Sequence, residues 1–416
     1  MTHAVTDGPD ELVPEFPMPR QSGCPFAPPP KLLELHAQQI RAGQPLTKVR
    51  IWNGTTPWIV TRYEDQRALL ADPRCSVDQR DPAFPYMNPA FREVAERGTE
   101  PAFLNMDDPE HARVRRMITN AFTVKRVEAM RPAVQRMTAE FIATMLAGPK
   151  PADLVRTLAL PLPSLVVCEL LGIPYTDHEF FQTKSEVGMR HDAKREEVAA
   201  AHHELLDYLD GQIEDRLANP ADDLLSVLAA RYRDGDLNRR QAASMGLLLL
   251  GAGHETTANM LALSVALLLE NPEQLAIVRD TNDPKALTRA VDELLRYLTI
   301  IHIGNRRIAL EDIEISGQTI RAGEGMILPS VTANWEDAFF PNPERLDVTR
   351  DARRHQAFGF GIHQCLGQPV ARLELEVALQ TLFRKVPTLR LATDVKELPF
   401  KEDGIVYGLY ELPVTW

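Results

Sequence analysis

The sequence predicts a mainly α, helix-rich α+β fold built as one domain. Helical patterning is nearly continuous from about Pro109 to Glu270, short β-rich runs lie before and after that block, and no composition break marks a linker. A prior of roughly 150 residues per domain suggests two or three domains for such a length. The segments named below converge on one site, which favours one.

The elements follow in order. Residues 1–25 read as an extended arm with Pro14, Pro17 and Pro19, and residues 26–416 as the domain. The arm is polar and lacks the apolar core of a signal peptide or membrane anchor. "VRIWNGTTPWIVTRY" gives two β-runs around the turn signal Asn53-Gly54. Breaks at "GIPYTD" and "NPADD" divide the helical block. Its most apolar run, Met245 to Leu269, carries His254 and Glu255 mid-way, which argues for a helix buried in protein over a membrane span. Asn271-Pro272 ends it. "RIALEDIEISGQTIRAGEGMIL" reads as short strands turned at Ser316-Gly317 and Ala322-Gly323. "QPVARLELEVALQTLFRKV" is helical, with Pro369 in its first turn and Val370, Leu373 and Val377 on one face. The tail "EDGIVYGLYELPVTW" is β-like.

The chain is 44% hydrophobic and 25% charged, as expected of a soluble globular protein with a large core. A net charge of −12 argues against nucleic acid as a partner. Cys24, Cys75, Cys168 and Cys365 lack paired spacing, which predicts no disulfide framework and a reducing, cytoplasmic location.

Cys365 stands apart, in "FGFGIHQCLG". Gly359, Gly361 and Gly367 allow a tight loop with exposed amides, and a helix starts just after it. A helix start favours thiolate over thiol, so Cys365 suits a nucleophile or a metal ligand. Rival patterns fail. A dinucleotide loop needs glycine where Gln364 or Thr256 stands, and a zinc-protease helix needs histidine where Ala258 stands. No zinc spacing surrounds Cys365.

"FGFGIHQCLG" resembles the haem-binding signature of the cytochromes P450, F-x-x-G-x-x-x-C-x-G, with Phe358, Gly361, Cys365 and Gly367 in place. "DDPEHARVR", "GAGHETT", "ELLR" and "FPNPERL" resemble companion motifs in family order, and "GLYELPVTW" resembles an actinomycete subfamily. The resemblance implies a triangular prism with small β-sheets and haem b between a long central helix and the cysteine loop. It implies Cys365 as iron ligand, Phe358 shielding its sulfur, and Gly367 in the cofactor loop. Glu255 and Thr256 become an acid–alcohol pair delivering protons, beside small residues Gly251, Ala252 and Gly253 that let oxygen and substrate approach. His111, Arg115, Arg307 and His363 become propionate partners, with Arg306 the alternative to Arg307. Glu293 and Arg296, with Arg345, become a buried charge cluster. Trp335 stands where many bacterial members carry a basic residue.

The implied activity is a monooxygenase inserting one atom of O2 into a hydrophobic small molecule: a macrolide, terpenoid, steroid-like compound or xenobiotic. Electrons would come from NAD(P)H through a ferredoxin reductase and a ferredoxin, the latter drawn by Arg113, Arg116, Lys125 and Arg126. Substrate contacts are expected from "DPAFPYMNPAF", "FFQTKSEVGMRHD", "LTIIHIG" and "GIVYG". The residues are Phe84, Tyr86, Ala252, Ile300, Ile301, Ile303, Ile405 and Val406. A monomer with no membrane partner is expected. A peroxide-using haem-thiolate enzyme would not need Glu255-Thr256, and a haem sensor should carry a signalling module, which is not seen.

Overall fold

The computed structural model describes residues 13–20, 25–41, 46–87, 92, 102–177, 180, 181, 183, 184, 187, 195–402 and 405–416. Its longest helix, Arg239–Leu269, is the axis of the protein. Asn238 starts it with a capping box. Its side chain accepts the Gln241 N–H at 2.8 Å, and Gln241 accepts the Asn238 N–H at 2.8 Å. Pro272, lacking an N–H, opens the next helix, Pro272–Asp280, and so separates the two. Residues 257–268 are all buried, so the apolar run is a core helix. No single described helix is long and apolar enough to cross a membrane.

Helices Pro161–Leu171, Arg195–Ala218 and Gln368–Lys385 pack on this central helix and share one large apolar cluster with it. Gln368–Lys385 has proline in its first turn, and buries Val370, Leu373 and Val377 as the spacing predicts.

The strands are short: β1 (Thr47–Lys48), β2 (Trp58–Ile59), β3 (Cys75–Ser76), β4 (Ala152–Asp153), β5 (Asn305–Ala309), β6 (Ile313–Ile315), β7 (Gln318–Ile320), β8 (Gly325–Leu328), β9 (Arg390–Leu391) and β10 (Pro413–Thr415). One sheet runs β1-β2-β8-β5-β3, with β2 and β8 parallel and the other pairs antiparallel. Thr47 faces Ile59 across the hairpin expected at Asn53-Gly54. β6 and β7 form a second hairpin, in which Ser316 and Gly317 both take positive φ, 49° and 75°. The third sheet is β4-β10-β9. The rest of the tail makes single bridges, Ile301 to Val406 and Phe400 to Leu409.

Residues 13–20 of the arm are packed. The Phe16 N–H donates to the Arg50 carbonyl at 2.8 Å, and Phe16 and Met18 join a buried cluster with Val49, Ile59 and Trp335. Trp335 is core, and its Nε1 donates to the Tyr297 carbonyl at 3.1 Å.

The expected charge cluster forms with one change. Arg296 grips Glu293 through two bonds of 2.7 and 2.9 Å, and neither side chain is accessible. The second cation is Arg350, 3.2 Å from the same carboxylate, and not Arg345. Successive turns through 342–350 carry Arg350 back over Glu293 and leave Arg345 exposed, its carbonyl accepting from Arg350 at 3.2 Å.

Candidate active site

Close contacts shape the cysteine loop. Gly361 takes φ +75°, and a Cβ there would lie 2.3 Å from the Leu70 carbonyl oxygen, so only glycine fits. The Cys365 N–H donates to the Phe358 carbonyl at 2.9 Å and closes the loop. Gly367 needs no special conformation: its φ is −79°, it caps the following helix, and a Cβ there would meet no protein atom within 4 Å. Cys365 is accessible to solvent. Burial nevertheless pushes its thiol up, opposed by the backbone N–H of Gly367, by Arg115, by the N–H of Gln368 and by Arg372. A metal charge at the accessible sulfur would complete the deprotonation.

The basic residues meet beside this loop. His111 is buried, 4.2 Å from His363 between ring centroids. Its Nδ1 lies 3.2 Å from Asp108, and its Nε2 is buried with no hydrogen-bond partner. Arg115 donates to the Gln364 carbonyl at 2.6 Å. Arg307, buried on β5, donates to the Arg306 carbonyl at 2.8 Å, and burial pushes it down to about 10. Burial, then Arg307, His111 and Arg115, push His363 down to about 3, with Asp108 opposing. Arg306 sits instead 5.6 Å over the Phe84 ring. The cluster is basic and desolvated, and an anion would relieve it.

The central helix carries the acid–alcohol pair. Gly251 and Ala252 are exposed although the helix is buried further along. Gly253 packs closely instead, since a Cβ there would lie 2.5 Å from Val167 Cγ2. Thr256 Oγ1 donates to the Ala252 carbonyl at 2.7 Å, the one-turn back-bond available to threonine. Burial raises the Glu255 carboxyl, opposed by Lys401, whose Nζ lies 3.8 Å away. Asn259 Nδ2 donates to the Glu255 carbonyl at 2.9 Å, and its side chain lies where a Cβ on Gly408 would go, 1.8 Å from Oδ1. Sequence reasoning missed Lys401 and Asn259. Lys401 reaches Glu255 only through tertiary folding, and no local pattern marks it.

The apolar candidates divide. Ile300 and Ile405 are half-buried on segments joined by the Tyr407 N–H to the Ile300 carbonyl, 2.8 Å, and by the bridge between Ile301 and Val406. Phe84, Tyr86 and Ile303 are packed inside protein, at 5%, 4% and 4% exposure. The Tyr86 hydroxyl donates to the Gln79 carbonyl. Residues 88–91 of one expected segment, and residues 182, 185, 186 and 188–192 of another, lie outside the described residues, as does Cys24.

A thiol presented at a helix start and a basic cluster holding an orphaned imidazole nitrogen together suit haem: a soft donor for iron and cations for propionates. Fold and site thus define the haem-thiolate class. The sequence model of the family Cytochrome P450 matches residues 173–406. Cytochrome P450 GfsF of Streptomyces halstedii is 51% identical, covering 98% of this chain and 97% of that protein. A crystal structure of GfsF aligns at TM-score 0.92 over 97% of this chain and 100% of its own. Cytochrome P450 CYP105Q4 of Mycobacterium marinum is 50% identical over 97% of this chain and 96% of that one. The crystal structure of the mycinamicin VIII C21 methyl hydroxylase MycCI of Micromonospora griseorubida, bound to mycinamicin VIII, is 40% identical at TM-score 0.87, covering 97% of this chain and 100% of that one. The chain belongs to the cytochrome P450 family, in its actinomycete CYP105 subfamily, and is a monooxygenase that uses haem, O2 and electrons from redox partners.

Proposed function

We propose that this enzyme hydroxylates or epoxidises a hydrophobic natural product of macrolide, terpenoid or similar size, with haem b held by Cys365. The observation that carries the reading is the cysteine loop: Gly361 pressed on Leu70, the Cys365 N–H tied to Phe358, and the thiol left accessible at the start of Gln368–Lys385. When bound, haem supplies the one-electron and dioxygen chemistry, and its thiolate ligand favours O–O cleavage. Arg115 and Arg307 would donate to the propionates beside His111 and His363, and the buried, unpartnered His111 Nε2 would become a donor only if a propionate charge drew a second proton onto the ring. The raised Glu255 carboxyl holds a proton nearer neutrality, and Thr256 Oγ1 passes it to the reacting side. Ala252, Ile300 and Ile405 orient an apolar substrate and exclude water. MycCI with its bound macrolide supports that substrate class.

Electrons come from NAD(P)H through a reductase and a ferredoxin, to a cytoplasmic monomer. Arg113 and Arg126 are paired with Glu110 and Asp222 at 2.5 and 2.8 Å, so Arg116 and Lys125 carry the exposed positive charge that suits an acidic donor. One experiment tests the reading. Haem-loaded protein, reduced under carbon monoxide, shows the strongly red-shifted thiolate band, and with ferredoxin, reductase and labelled O2 it places one labelled atom in product. Cys365→Ala loses both. Survival of the band in that variant sinks the assignment.

A further inference from the structure

Behind the cysteine loop lies a buried charged group that the chemistry above does not use. Asp292, on helix Pro284–Leu298, is 3% exposed. Arg372, on Gln368–Lys385, donates through Nε to Asp292 Oδ1 at 2.8 Å. His355 Nδ1 accepts the Ala357 N–H at 3.1 Å, so a neutral ring carries its proton on Nε2, which points at the same Asp292 oxygen at 3.4 Å. Burial keeps His355 in that neutral form, pushing its pKa down. Asp292 is desolvated too, but bonds from His355 and the charge of Arg372 outweigh this and hold its carboxyl below the usual range.

All of this closes on one ring. The Arg372 guanidinium lies 4.7 Å from the Phe358 centroid, in cation–π range, and the His355 ring is 5.6 Å from it. Phe358 in turn accepts the Cys365 N–H through its carbonyl at 2.9 Å. A second bond, Arg372 Nη1 to Gln368 at 2.9 Å, fixes the guanidinium to the first turn of the helix that follows the cysteine. The cation is therefore rigid, little exposed, and one aromatic ring from the loop that carries the sulfur.

We propose that Asp292, His355 and Arg372 are positioning residues: they clamp Phe358 beside the Cys365 sulfur and, through the balance of the Arg372 and Asp292 charges, set how strongly that sulfur donates to haem iron. The proposal rests on Cys365 being the haem ligand. A nearby cation withdraws electron density from a thiolate and favours the reduced metal, and a nearby anion does the reverse.

The test is a spectroelectrochemical titration of haem-loaded protein, with melting curves alongside. Arg372→Gln removes the cation, and at a fixed ambient potential the ferric-to-ferrous ratio rises roughly tenfold. Asp292→Asn removes the anion, and the ratio falls. A role in packing alone lowers the melting temperature in both variants without moving the potential in opposite directions, and that result overturns the proposal. Arg372→Lys keeps the charge, and it restores the potential more fully than the melting temperature. Should Arg372→Gln fail to fold, the sign of the Asp292→Asn shift decides alone, and no shift or a rise overturns the proposal. The reduced, carbon-monoxide-bound spectrum separates the premise: the thiolate band persists in every clamp variant, and its absence from the wild-type protein, like its survival in Cys365→Ala, overturns the ligand assignment.

Discussion

Thr256 is one hydroxyl in a helix of 31 residues, and what it does is set by where its proton points. In the structure Oγ1 donates to the Ala252 carbonyl at 2.7 Å, leaving its lone pairs to accept a proton from elsewhere. Glu255, raised by burial, is the proposed source. Thr256→Ala removes the proposed relay without touching Cys365. Product formed per O2 consumed should fall by up to roughly a hundredfold, the low end of what a positioned proton carrier contributes, while hydrogen peroxide rises. Both are read in one assay, and a variant that stays fully coupled removes Thr256 from the proton path. The motif around Thr256 was legible because its residues are contiguous. Its pairing with Lys401 was not, since Lys401 lies on a separate segment and only folding brings it within 3.8 Å of Glu255.

At the level of elements, the Glu293–Arg296 pair is a joint. Arg296 also donates to the Asn334 and Pro343 carbonyls at 2.8 and 3.0 Å, so helix Pro284–Leu298 is fastened to helix Ser330–Asn334 and to the turns after it. Arg296→Met leaves a fully buried carboxylate with only Arg350 and the Asp347 N–H on one of its oxygens, and should cost about 3–5 kcal/mol in urea unfolding. Adding Glu293→Gln should recover part of that loss by removing the stranded charge. A double variant as unstable as the sum of the two singles contradicts this account. The sequence made such elements readable wherever the cause was local. The Asn53-Gly54 turn, the stop at Pro272 and the Ser316-Gly317 hairpin each rest on one or two residues' backbone preferences. The third member of the charge cluster did not follow from spacing, because the turns through 342–350 decide whether Arg345 or Arg350 faces inward.

For the whole molecule, buried histidines shape the response to acid. Burial pushes His36 and His254 each down to about 4, from 6.5 in an exposed chain. Below 6.5 the unfolded chain takes up protons that the native state refuses, so this stability is present above 6.5 and drains as pH falls through 4. Each group accounts for up to about 3 kcal/mol. The buried Glu374, raised well above its ordinary value, works in the opposite sense: its contribution is present below 4.5 and is lost as pH rises through its native value. Urea midpoints should therefore fall between pH 6.5 and 4, with a shallower slope in His254→Gln. Equal slopes in the two proteins would show that native His254 takes up its proton as readily as the unfolded chain does, contrary to this account. None of this was legible beforehand, since a histidine's titration depends on what surrounds it and the sequence lists only its neighbours along the chain.

Gly408 and Asn259 carry a consequence for how such an enzyme changes over generations. The loop holding Gly408 also holds Ile405, beside the candidate pocket, and the Asn259 side chain fills the volume where a Cβ on Gly408 would sit. Neither position can drift alone: any side chain at 408 collides until 259 has shortened, and shortening 259 first gives up its bond to the Glu255 carbonyl. Diversification of this loop is thus gated by a paired step. Mutant libraries that vary the two positions together will reach forms that single-site libraries do not.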